Sequence, residues 1–176
     1  MIFKKKGNNP VTIDKLLGRP TSVNIRKLEA LGSPGLILKL FVNKTTAETS
    51  LPEQAKCNFE KREKGLLLYS NYNTNSALVA LPATKILKIE LIKGAEKISP
   101  ILFSPMWILL KTGVSIRYAR YFRFSRNEYF TESMTLKIET VHYQMKFIAS
   151  GYLFEGHLEF FERLSLEDKF KVNTAA

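Results

Sequence analysis

YQMKFIASGYLFEGHLEFFERL, residues 143–164, decides how the remainder of the chain is read. Tyr143, Met145, Phe147 and Ala149 alternate with Gln144, Lys146 and Ile148, the period-two pattern of a half-buried strand. Ser150 and Gly151 break the run, and Ser150 is placed to cap a helix. Leu153, Phe154, Leu158, Phe161 and Leu164 then recur at helical spacing, with Glu155, Glu159, Glu162 and Arg163 mostly on the other side. A strand leads directly into an amphipathic helix whose apolar stripe needs a sheet to cover.

The apolar segments upstream supply that sheet. LILKLFV at 36–42 sets Leu36, Leu38, Leu40 and Val42 on one face. Cys57, Phe59 and Lys61 alternate with Asn58 and Glu60, and Gly65 opens the strand run GLLLYSNY. The Asn-rich stretch 71–75 reads as a hairpin turn, because Asn enters left-handed conformations readily. ALVAL at 77–81 ends at Pro82, which suits a sheet end or edge. KILKIELIKG at 85–94 points Leu87, Ile89 and Leu91 one way, and LKIETV at 136–141 precedes the Tyr143 strand. These segments predict an α+β fold: a mainly antiparallel, strongly curved sheet or partial barrel of six to seven strands, capped by a C-terminal helix. Residues 1–33 read as a basic N-terminal arm with a short helix over 22–31, and 34–176 as a single domain with an insertion at about 95–134.

GLLLYS, ALVALP and ATKILKIELIKG, with YQMKFIAS running into YLFEGHLEFFERL, resemble bacterial pleckstrin-homology-like and GRAM-like domains. The resemblance covers 65–94 and 136–166. It departs in the long insertion and in lacking a Trp in the terminal helix, where Phe160 or Phe161 stands instead. It implies a seven-stranded partial barrel used as a binding platform.

The formal net charge of +11 is unevenly placed: residues 1–28 contribute +6, 99–135 contribute +3, and 136–176 contribute −1. Such a distribution favours phosphate-bearing partners, either nucleic acid or anionic lipid. The lone Cys57 permits neither an intrachain disulfide nor a cysteine-based metal cluster. The most apolar window, 101–116, is interrupted by Pro105, Lys111 and Gly113 and falls short of a membrane span. The expected location is cytoplasmic, peripheral to the inner membrane face.

Within the insertion, Pro105 starts a helical turn that Gly113 stops. Trp107 and its apolar neighbours either bury against the sheet or contact a partner or membrane surface. In SIRYARYFRF, Arg117, Arg120 and Arg123 recur every three residues and Arg126 continues the series, interleaved with Tyr118, Tyr121, Phe122 and Phe124. Guanidinium groups bind phosphate bidentately and aromatic rings sit at interfaces or on bases. Arg117, Arg120, Arg123, Arg126, Tyr118, Tyr121 and Trp107 are therefore the candidate ligand-binding residues. Alternatively, the arginines are solvated and the aromatics face the core.

No catalytic, metal or cofactor site is expected. His157 and Glu159 form H-x-E without the accompanying cysteine pair, and on a helix they point apart. No phosphate-binding loop, dinucleotide or hydrolase motif occurs. The expected function is a non-catalytic binding module that engages an anionic membrane surface or a protein partner through 101–126. The alternative is nucleic-acid binding by the arginine run with Lys4–Lys6, Lys15, Arg19, Arg26 and Lys27.

Overall fold

The computed structural model describes residues 2–4, 10–21, 32–44, 51–164 and 166–174. Among the described residues, eleven strands run in chain order: β1 (Ile2–Lys4), β2 (Leu36–Asn43), β3 (Lys56–Arg62), β4 (Gly65–Tyr72), β5 (Asn75–Pro82), β6 (Ile86–Lys93), β7 (Glu96–Ile98), β8 (Tyr129–Thr131), β9 (Met134–Thr140), β10 (Tyr143–Ala149) and β11 (Phe170–Thr174). The helices are α1 (Pro10–Leu17), α2 (Pro105–Lys111), α3 (Ile116–Ala119) and α4 (Phe154–Glu162). The fold is α+β with a mostly antiparallel sheet and a C-terminal helix. Nine strands form one sheet in the order β1-β5-β4-β3-β2-β10-β9-β6-β11, and β7 pairs with β8 separately. All neighbours in the large sheet are antiparallel except β11, which adds to β6 in parallel.

The expected strongly curved sheet or partial barrel is corrected. The sheet stays open, its end strands β1 and β11 pairing only inward, and it is neither closed nor strongly curled. The strand count also rises, because three-residue β1, β7 and β8 are too short to show a period, and β11 is exposed along most of its length.

Two register shifts redirect side chains that alternation alone places inside. Against β10, Lys146 faces Leu40 and Phe147 faces Leu38, so Lys39 is the extra residue in β2. Leu36 and Leu38 point into the core, but beyond the shift Phe41 takes the inner face while Leu40 and Val42 are exposed. Against β9, Ile86 faces Thr140 and Lys88 faces Glu139, which leaves Leu87 extra and exposed while Ile86 is buried. A one-residue slip reverses the face of every side chain beyond it.

The main core lies between the sheet and α4. Phe161 and Phe147 meet Phe59 edge-on at 5.8 and 5.4 Å, and Phe161 stacks on Phe170 at 6.0 Å. Phe154, Phe160 and Leu164 join the same core, whereas Leu153 is exposed. The reason is a 3-10 turn over Gly151–Leu153, which precedes α4 and rotates its entry; the Ser150 side chain makes no capping bond. On the opposite face, Ile13 and Leu17 of α1 pack on Leu67, Leu78 and Ala80 of β4 and β5. Two pieces of the expected arm, β1 and α1, thus join the sheet. The short helix expected over 22–31 lies outside the described residues.

The insertion leaves through the β7–β8 ribbon. A methyl group at Gly94 or at Gly151 would overlap the Glu132 carbonyl, so both glycines let the chain after β8 lie tight against the domain. No helix among the described residues is long and apolar enough to cross a membrane.

Candidate functional site

Residues 99–128 build a small structure on that ribbon. Ser104 caps α2 by accepting from the Trp107 N–H at 3.1 Å, Pro105 occupies the first turn, and Gly113 follows at φ +85°. Ser115 caps α3, and a 3-10 turn spans Arg120–Phe122. Arg123 is already extended, so the three-residue arginine series is helical only as far as Arg120. Met106, Ala119 and Tyr129 form a core of their own, backed by Leu109, Leu110, Val114 and Ile116 and separate from the sheet's core.

Glu128 is the hub, and its carboxylate is fully buried. One oxygen accepts from the Ile101 N–H at 3.0 Å and from the Ser104 hydroxyl; the other accepts from the Phe124 N–H and from the Ser125 N–H at 3.1 Å. Burial pushes its pKa up, but these donors outweigh that and hold it below the usual carboxylate range. Donors near 3 Å from the two oxygens of one carboxylate put residues 101 and 124 within roughly 8 Å of each other. Sequence pattern alone does not single out Glu128 as a hub. Ser125 and Glu128 form the S-x-x-E of a capping box, which marks the local half of this arrangement. The bonds to Ile101 and Ser104 are non-local and leave no such mark.

The candidate arginines divide into two pairs. Arg120 stacks within 5.2–5.8 Å of the Tyr121, Tyr129 and Tyr152 rings and reaches the Tyr121 and Tyr129 hydroxyls. Arg123 donates to the Tyr129 carbonyl at 3.0 Å and the Tyr152 hydroxyl at 2.6 Å, tying the insertion to the turn before α4. Both are committed to internal contacts. Arg117 and Arg126 are exposed and have no ion-pair partner among the described residues, as is true of Lys97. Trp107 is half-buried, edge-on to Phe103 at 5.4 Å and with Lys111 over its ring at 5.7 Å.

Apolar side chains crowd the surface of the same module. Leu102, Phe103, Tyr121 and Phe124 are 63, 71, 73 and 75% exposed, and Ile98, Ile101, Ile108, Tyr118, Phe122 and Phe130 are exposed beside them in sequence. Nearly half of the exposed large hydrophobics among the described residues fall in this stretch. Phe103 also adopts a left-handed backbone, φ +62°, which is costly for an aromatic residue and is held between the bonds at Ile101 and Ser104.

The other reactive side chains lie elsewhere. Cys57 is in the main core, where burial pushes its thiol up to about 11. His157 is fully buried on the inner side of α4, while Glu159 points outward to Arg163. Burial lowers the His157 pKa to about 4; the neighbouring Gly35 backbone offsets little of this, and neither ring nitrogen makes a well-formed hydrogen bond. Among the described residues no three His, Cys, Asp or Glu side chains group as metal ligands. Comparison with protein-family models, curated proteins and solved structures found no match.

Proposed function

We propose that this chain is a non-catalytic binding module that docks on an anionic membrane surface through its insertion. The observation that carries this reading is one small, separately packed module with exposed apolar side chains close in sequence to the exposed Lys97, Lys111, Arg117 and Arg126. Apolar side chains gain by entering the headgroup and acyl boundary, and each nearby cation adds about 1 kcal/mol on an anionic leaflet. Four such cations supply roughly 4 kcal/mol, or about three decades in partitioning.

The proposed pleckstrin-homology-like relationship agrees with the strand path. The meanders β2-β3-β4-β5 and β6-β9-β10 are joined through β2 and β10 and followed by α4, seven strands and a helix. Nucleic-acid binding is less favoured, because Arg120 and Arg123 already serve internal contacts.

Sedimentation with phosphatidylserine-rich and pure phosphatidylcholine vesicles tests the proposal. Binding to the first that weakens with added salt, and little to the second, is expected. Equal binding to both, or none, would remove the membrane reading. Salt-sensitive binding to duplex DNA without vesicle binding would favour the alternative.

A further inference from the structure

We infer that the loops 101–104 and 122–125 act together as one bilayer-penetrating wedge, with Glu128 as the positioning residue that makes them one. The inference rests on the membrane reading above and deepens it by naming which side chains enter the bilayer and what holds them together. Leu102, Phe103 and Phe124 are the tips, and their loops converge because both donate backbone N–H groups to one buried carboxylate. Side chains this exposed suit a deformable apolar medium better than a shaped protein ligand, which would bury them in a pocket. Arg117 and Arg126, which make no ion pair among the described residues, supply the charge complementarity expected for an anionic leaflet. A carboxylate facing lipid would oppose docking, but this one faces inward and is enclosed by donors.

Trp107 is the only tryptophan and touches Phe103, so the native chain carries its own reporter at the wedge. With phosphatidylserine-rich vesicles, Trp107 emission should shift to the blue and be quenched by lipids brominated in their acyl chains. Exchanging both surface rings, Phe103→Ser with Phe124→Ser, should lower partitioning by about tenfold or more and abolish the quenching, because two large apolar side chains are withdrawn. Glu128→Gln should lose the quenching while retaining salt-sensitive adsorption and the main domain's melting transition, since its core is separate. Vesicle binding with no quenching in the native chain, or quenching untouched by the double serine variant, would overturn the wedge and leave charge-driven docking standing. Quenching unchanged in Glu128→Gln would overturn the role of Glu128. Absence of vesicle binding by the native chain would remove the membrane reading itself.

Discussion

The sheet and the insertion use opposite means to hold a shape. Around α4, the large apolar side chains converge inward and order follows from burial: Phe59, Phe147 and Phe161 interlock edge to face. In the insertion the apolar side chains mostly point outward, its core has three fully buried members, and a buried carboxylate with four donors joins its loops. A core held by burial tolerates polar change outside it but not inside. A shape held by a hydrogen-bonded hub leaves its apolar surface free for another task.

The largest effect should come from removing a phenylalanine of the core held by burial. Phe161→Ala should cost about 3–5 kcal/mol, by lost transfer energy plus the cavity left behind. With only about 5–15 kcal/mol of stability in a domain, that variant should melt far earlier or fail to fold. Glu159→Ala on the exposed side of the same helix should cost less than about 0.5 kcal/mol. Thermal unfolding of both variants checks this; equal, mild effects would make α4 an appendage.

Acid should separate the regions next, because each buries one group that titrates in the acid range. His157 is neutral in the fold with its pKa lowered from 6.5 to about 4, so the unfolded chain takes up its proton first. A lowered folded value means stability is complete above the unfolded pKa and is lost as pH falls through the window down to the folded one, here from 6.5 to about 4. The loss amounts to roughly 3 kcal/mol. Glu128, also lowered, keeps its contribution above the ordinary carboxylate value of 4.5 and loses it as pH falls from there toward its lower folded value. Urea unfolding across the window should therefore show an acid slope that His157→Leu flattens. Parallel slopes in the two proteins would mean that the ring is not held neutral in its buried site.

The sequence makes the sheet legible to the extent that burial follows a local period. The β4–β5 hairpin was readable because the two runs are apolar and Asn73 accepts φ +51° at the turn. The strand-to-helix passage at 143–164 was readable for the same reason, apart from the 3-10 turn that moved Leu153 outward. The insertion was less legible, since its arrangement depends on contacts between distant residues. Arg117, Arg120, Arg123 and Arg126 look equivalent in sequence. Three tyrosine rings, one of them Tyr152 from beyond β10, and the Tyr129 carbonyl make Arg120 and Arg123 structural. Trp107 sits at the edge of the exposed apolar cluster because Ser104, itself bonded to Glu128, starts its helix.

The smallest expected effect probes one of the two places in the sheet where the period misleads. Alternation through 85–94 sets Leu87 with Ile89 and Leu91, a choice that local spacing favours. Pairing with β9 makes Leu87 the extra residue, 51% exposed, and passes the inner position to Ile86, which is fully buried. Leu87→Ser should then change stability by less than about 0.5 kcal/mol, since little apolar area returns to water and no cavity opens. Ile86→Ala, one residue earlier, should cost about 2–5 kcal/mol. Chemical unfolding of the pair measures the difference. If Leu87→Ser proved as damaging as Ile86→Ala, β6 would run in unbroken register and the rule that the sheet buries its apolar residues would hold there without exception.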